Sequence, residues 1–221
     1  MRRLAVLLLA LALPAVALAA DTDPQKRFTA ADNAKAASIV LKRADFATGW
    51  KRMPATPDSP DEFRCAGYDP DQSDLVLTGE AQADFTAAQG SPAVVSVANV
   101  FKTRAQATAS WTRTVRAPLL RCLTQALQEA FAKQGTKATV TRKGAIAFPR
   151  YAPRTAAYRF SFDVSQGAGG RTIPFTIHLV GLGHGRGDAM LMTMGLGSGL
   201  PLAQVKSFAR LTAQRLAAAR L

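Results

Sequence analysis

Three stretches in the second half of the chain alternate apolar and polar residues, and this period of two limits the possible folds more than any other feature. In residues 157–164, Tyr158, Phe160, Phe162 and Val164 fall on one side, with Arg159, Ser161 and Asp163 opposite. Residues 171–180 repeat the scheme with Ile173, Phe175, Ile177 and Leu179, and in residues 136–146 Ala138 and Val140 oppose Lys137, Thr139 and Thr141. Successive side chains of a strand point to opposite faces, so this pattern predicts an antiparallel sheet with one covered and one wetter face. Glycine-rich residues 167–170 and 181–188 supply turns, and residues 189–194 the returning strand. Earlier, residues 75–85 and 93–102 flank Gly90-Ser91-Pro92; the second run places Val95, Val97 and Phe101 on one face, and the two predict a hairpin.

Helices punctuate these strands. Thr103-Arg104-Ala105-Gln106 has the form of a capping box, in which the Thr hydroxyl and the Gln side chain each satisfy an orphan backbone N–H. Pro118 cannot sit in a helix interior, so residues 104–116 form one helix and a second begins with Pro118 in its first turn. Leu119, Leu123, Ala126 and Ala130 make the inner stripe of that second helix, with Leu120, Leu127 and Phe131 beside it and Cys122 adjacent. Thr29 or Asp32 caps a first helix reaching about residue 43, with Ala34, Ala37, Val40 and Leu41 on its apolar side. Gly49 suits a helix exit, Trp50 anchors the next segment in the core, and Pro54, Pro57 and Pro60 make residues 51–63 irregular. Pro201 opens a last helix to about residue 219, with Leu202, Val205, Ala209, Thr212 and Leu216 facing inward. Strands in runs between helices give the fold class α+β, an antiparallel β-sheet flanked by α-helices in a single domain.

The chain opens with Met1-Arg2-Arg3, an apolar run and Ala17-Leu18-Ala19, the three parts of a secretory signal peptide. The expected organisation is a signal peptide over residues 1–19, a flexible lead-in over 20–28 and the α+β domain over 29–221. The mature protein is then secreted and soluble, with no transmembrane span. The 28 lysines and arginines against 15 aspartates and glutamates give +13, or +11 without Arg2 and Arg3. Such an excess favours polyanions, which outside the cytoplasm are lipid headgroups and polysaccharides more than nucleic acid, although the arginines are spread and not clustered. Cys65 and Cys122 are the only cysteines. An even count in an exported chain predicts one disulfide, worth about 4 kcal/mol for a loop of this size in the chain-entropy model.

Asp45-Phe46-Ala47-Thr48-Gly49-Trp50 resembles the Asp-Leu-Pro-x-Gly-Trp segment found after the first helix in many exported actinobacterial proteins. A cysteine then precedes Ser73-Asp74-Leu75-Val76-Leu77-Thr78-Gly79, and a second cysteine lies in the long helix. The pattern is similar to small secreted proteins of the LpqN type and to the sensor domain of the PknH kinase, within a PsbP-like fold group. It departs from the kinase sensor in having one cysteine pair where two are expected. The resemblance implies an antiparallel sheet flanked by helices and a binding or sensing role more often than catalysis. It implies no catalytic residue.

Several constellations fall short of a site. His178, His184 and Asp188 are metal-ligand types, but a strand residue and a turn residue are not aimed at one point, so a wet strand histidine and a loop histidine are expected. Asp69, Asp71, Ser73 and Glu80 match positions of a calcium loop, yet the required glycine is Asp74, which leaves a polar turn entering a strand. Gly181, Gly183, Gly185 and Gly187, and Gly195, Gly197 and Gly199, meet neither phosphate-loop spacing, and read as hairpin turns and small strand residues. Arg186-Gly187-Asp188 spells an adhesion tripeptide from three common turn residues. Ser198 lacks the Gly-x-Ser-x-Gly elbow. No catalytic, cofactor or metal residue is assigned, and no cofactor is expected. The function expected is a secreted, non-enzymatic cell-envelope module, ligand-binding or sensor-like, for an apolar or anionic lipid or glycan. The alternatives are an envelope hydrolase with dispersed residues and a structural module for a protein partner.

Overall fold

The alternating stretches become the centre of one sheet. The structure, a computed structural model, describes residues 22–54, 67–166 and 171–221; the expected signal peptide, Cys65 and the expected 167–170 turn lie outside the described residues. In chain order the elements are β1 (Gln25–Lys26), α1 (Ala30–Ile39), β2 (Trp50–Met53), β3 (Val76–Ala87), β4 (Ala93–Phe101), α2 (Arg104–Thr114), α3 (Ala117–Lys133), β5 (Thr136–Ala145), β6 (Arg154–Gln166), β7 (Thr172–His184), β8 (Gly187–Leu196) and α4 (Leu202–Ala218). Among the described residues they form an eight-stranded sheet in the order β1-β3-β4-β8-β7-β6-β5, with β2 also paired to β3. Only β1 runs parallel to its neighbour. Within the expected lead-in, β1 pairs with β3; within the expected irregular connection, β2 lies along its far half.

Both faces of the sheet are covered, which corrects the expectation of one wet face. On β7, Val180 and Leu182 point into a cluster built with Ile39 and Leu41 and with Val205, Phe208 and Leu216 of α4. Their neighbours Ile177, Phe175 and Leu179 point the other way, to Leu119, Leu123 and Phe131 of α3. The alternation is real, but its polar half includes threonine, serine and histidine that are themselves buried under α1 and α4, among them Ser96, Thr176, His178 and Thr193. The result is one α+β domain, helices on either side of a mostly antiparallel sheet. Among the described residues no helix is long and apolar enough to cross a membrane.

The helices start as their caps predict and turn differently from their apolar patterns. The Thr29 hydroxyl accepts from the Asp32 N–H at 3.1 Å, and α1 ends at Ile39, short of residue 43. Its buried side is Asp32, Ala36 and Ile39, with Val40 and Leu41 buried in the extended chain beyond, while Ala34 and Ala37 face solvent. An ion pair of Asp32 sets this rotation: Arg186 donates to both carboxylate oxygens, at 2.6 and 2.8 Å. Gly79 of β3 makes the close approach possible, since a Cβ there would lie 2.4 Å from the Asp32 carbonyl carbon and oxygen.

Thr103 caps α2 by accepting from the Gln106 N–H at 3.2 Å. Gln106 does not complete the box; its Oε1 accepts from Val76 N–H at 3.4 Å and ties α2 to the start of β3. Pro118 sits in the first turn of α3, as expected. The α3 stripe is Leu119, Cys122 and Leu123, so Cys122 lies in it and Ala130 is exposed. On α4 the inward residues are Val205, Phe208, Ala209, Thr212, Ala213 and Leu216; Leu202, at its first turn, is exposed. Gly49 takes a positive φ of 91° after a short 3-10 turn, and Trp50 is only half-buried, stacked 4.8 Å from the buried ring of Phe46.

Candidate functional site

The break at Pro118 has a consequence for packing. Residues of α2 and of α3 both bound a single space over the centre of the sheet, a cavity of about 360 Å³. The sheet supplies its floor with Tyr158 and Phe160 of β6, Leu179 of β7, and Met190 and Met192 of β8; α3 supplies Leu119, Leu123 and Leu127. These are inward positions of the period-two and helical patterns, so the cavity is a part of the core that side chains leave unfilled.

Two glycines set its shape. Gly181 lies under the indole of Trp111 from α2, and a Cβ there would meet the ring at 3.1 Å. Gly183, two residues on and facing the same way, makes room for an ion pair: a Cβ would fall 2.3 Å from Arg154 Nε and 2.6 Å from Asp188 Oδ1. The expected turn over residues 181–188 is therefore corrected, because β7 continues to His184 and only Gly185-Arg186 turns. Both glycines are strand residues whose missing side chains admit groups from other elements.

Polar groups sit at separate points of the wall, with Arg154 behind it. Arg154 donates from Nη2 to Asp188 Oδ1 at 2.8 Å and to the Gly185 and Gly187 carbonyls at 3.2 Å. Burial pushes the Asp188 carboxyl up to about 6, against the opposing pull of Arg154. Asn99 on β4 stands directly across from Asp188 on β8, and its Oδ1 is buried with no hydrogen-bond partner. Thr114, at the end of α2, has a buried hydroxyl that is also unpartnered. Tyr68 is buried, and its hydroxyl donates to the Thr114 carbonyl at 2.6 Å; burial pushes its pKa up to about 12, which keeps the phenol a donor.

The sequence-predicted candidates are dispersed. His178 is 2% exposed and faces α4, so it is no wet histidine. His184 is the last residue of β7 on that same face, about 20 Å along the strand, while Asp188 faces the other side. Among the described residues no group of three histidine, cysteine, aspartate or glutamate side chains is placed to hold a metal. In the calcium-like stretch, Asp71 accepts from the Ser73 N–H and hydroxyl, Asp69 accepts from Thr22, Asp74 pairs with Arg113 and Glu80 pairs with Lys26. The adhesion-like tripeptide is divided: Arg186 is held by Asp32, Gly187 is buried in β8, and Asp188 is held by Arg154. Ser198 is exposed between Gly197 and Gly199, both at φ 66°. Cys122 is buried on α3, and its expected partner Cys65 lies outside the described residues.

Burial, and then the nearby Arg159 charge, lower the pKa of His178. It is neutral in the fold, and the unfolded chain takes up its proton below about 6.5, so this residue costs stability as pH falls through that value. Asp188 works in the opposite sense, because the fold binds its proton more readily. The stability difference between wild type and His178→Asn, measured by urea unfolding, is expected to move against wild type by up to about 1.4 kcal/mol per pH unit below pH 6.5. A pH-independent difference would show that His178 does not titrate differently in the fold.

Trp111, Asn99 and Arg154 were not singled out by sequence. A signal existed for two of them: Trp111 is the one aromatic side chain in the polar Arg104–Thr114 helix, and Asn99 interrupts the mostly apolar Ala93–Phe101 strand. Comparison with protein-family models, curated proteins and solved structures finds no match.

Proposed function

We propose that the protein is an exported, non-enzymatic binding module of the cell envelope that holds an apolar chain in the cavity between α2, α3 and the sheet. The observation that carries this reading is the cavity itself. Its volume of about 360 Å³ lies within the range of small-molecule sites. Its walls combine aliphatic, aromatic and methionine side chains, which adapt to a flexible chain, with a few polar groups. The signal-peptide pattern of the first residues supports a mature chain outside the cytoplasm, where amphiphiles of the envelope are the abundant apolar ligands. A binding role also agrees with the resemblance to LpqN-type proteins and kinase sensor domains. A Cys65–Cys122 bridge would fix the cavity-lining α3 to the preceding connection.

Native mass spectrometry of the mature protein, purified from the exported fraction without denaturation, tests this reading. A defined added mass that dissociates as a lipid or other amphiphile is expected. A bare protein mass, persisting after incubation with excess monolauroylglycerol, would contradict it.

A further inference from the structure

We propose that the end of the sheet where β7 begins and β8 stops docks on a membrane surface rich in anionic lipid. The proposal adds a surface to the cavity reading and rests on that reading only for where the apolar track described here begins. β8 places Met190 and Met192 in the cavity wall, and Met194 and Leu196 follow on the same face at strand spacing. β7 repeats this beside it, with Leu179 and Ile177 in the wall and Phe175 and Ile173 beyond them; the register pairs Ile177 with Met194 and Phe175 with Leu196. An apolar track two strands wide therefore runs from the cavity to the end of the sheet. α3 covers it only as far as Phe131, whose ring meets that of Phe175 edge-on with centroids 5.4 Å apart. Beyond that contact Ile173 is 40% exposed and Leu196 is 56% exposed, diagonal neighbours on adjacent strands. Leu202, the first residue of α4, follows soon after and is also exposed.

Charge selects the partner. The same end carries Lys133 in the last turn of α3, Lys137 at the start of β5 and Arg171 just before β7, all exposed. None of the three pairs with an acidic side chain among the described residues. From Val164 to Leu221 the chain contains one acidic residue, Asp188, at the opposite end of β8. The remaining acids nearby are Glu129, which accepts from Gln125 back along α3 at 2.8 Å, and Asp163, on the opposite face of β6 from Phe162 and Val164. Exposed aliphatic side chains flanked by lysine and arginine match the boundary between acyl chains and anionic headgroups, where the apolar groups insert and the cations meet the negative surface. A second copy of the chain would set the same cations against them, which disfavours self-association through this end. Docked on a bilayer, the track leads from the lipid into the cavity.

Sedimentation of the mature protein with phosphatidylcholine vesicles, with and without phosphatidylglycerol, tests the docking. Binding to the anionic vesicles is expected to be at least about tenfold tighter than to the neutral ones and to weaken with salt. Ile173→Thr with Leu196→Thr is expected to lower it at least about tenfold; both side chains are exposed, and a thermal melt confirms the fold. Lys133→Glu with Arg171→Glu is expected to do the same. Lys102→Glu with Arg104→Glu, an equal charge change at the opposite end of the sheet, is expected to alter binding by less than about threefold. No preference for anionic vesicles, full binding after the two threonine substitutions, or equal losses from the two charge reversals overturns the docking. Self-association of wild type that the threonine substitutions abolish also overturns it and assigns this end to a second copy. Monolauroylglycerol titrated into the same variants reads the cavity separately, so loss of docking with retained chain binding is distinguished from failure of the cavity reading.

Discussion

Asp32→Ala is expected to destabilise the fold by about 3–5 kcal/mol. The carboxylate takes both arms of Arg186, at 2.6 and 2.8 Å, and the Thr78 hydroxyl at 2.6 Å, and its side chain is 10% exposed. It joins α1 to the β7–β8 turn across 154 residues of chain. Truncation leaves the guanidinium partly buried with the Phe101 carbonyl and Thr78 hydroxyl as its remaining partners. For a domain of this size the loss corresponds to a fall in Tm of about 10 °C, read from a thermal melt. Because the cost is that of an orphaned charge, the double variant Asp32→Leu with Arg186→Met should lose less than Asp32→Ala alone. The Arg186 hydrogen bond chiefly holds the Asp32 carboxyl below its usual range, so its contribution is present above that range and lost as pH falls. Wild type should therefore converge on Asp32→Ala in acid. A change below about 1 kcal/mol at neutral pH would show that the pair does not hold α1 to the sheet.

How much of this was legible in the sequence depended on whether a pattern was local. The period-two stretches gave β5 to β7 with their inward residues, and Thr103 and Pro118 gave the start of α2 and the division between α2 and α3. These follow from side-chain periodicity and cap chemistry, which neighbouring residues determine. The face that α1 buries was misread because alanines mark no direction strongly; a charged residue, Asp32, turns inward to meet an arginine far along the chain. His178 looked wet because it alternates with Ile177 and Leu179, a pattern that cannot reveal a second helical layer above it. The cavity was the least visible. It depends on glycines at 181 and 183, which resemble a turn in sequence, and on Trp111, Arg154 and Asp188 meeting above them from three different elements. Trp111 and Asn99 alone left local traces, as the aromatic residue of a small, polar helix and as a polar residue in a mostly apolar strand.

Gly181→Leu is expected to abolish chain binding, with affinity reduced at least about a hundredfold, while the protein stays folded. The position is extended strand with no positive φ, so a leucine is compatible with the backbone. Its Cβ would meet Trp111 at 3.1 Å, within what a small shift of the indole accommodates, and the rest of the side chain would occupy the floor of the cavity. Overpacking costs about 1–3 kcal/mol, and burial of the added apolar area offsets part of it. The measurement that tests the central claim most directly is therefore a titration of monolauroylglycerol into wild type and Gly181→Leu, read from Trp111 emission with Trp50→Phe in both, alongside equilibrium dialysis. The cavity account predicts a saturable shift in Trp111 emission for wild type and loss of binding in the leucine variant by both readouts. Undiminished binding in Gly181→Leu by dialysis would contradict it and place the ligand elsewhere on the molecule.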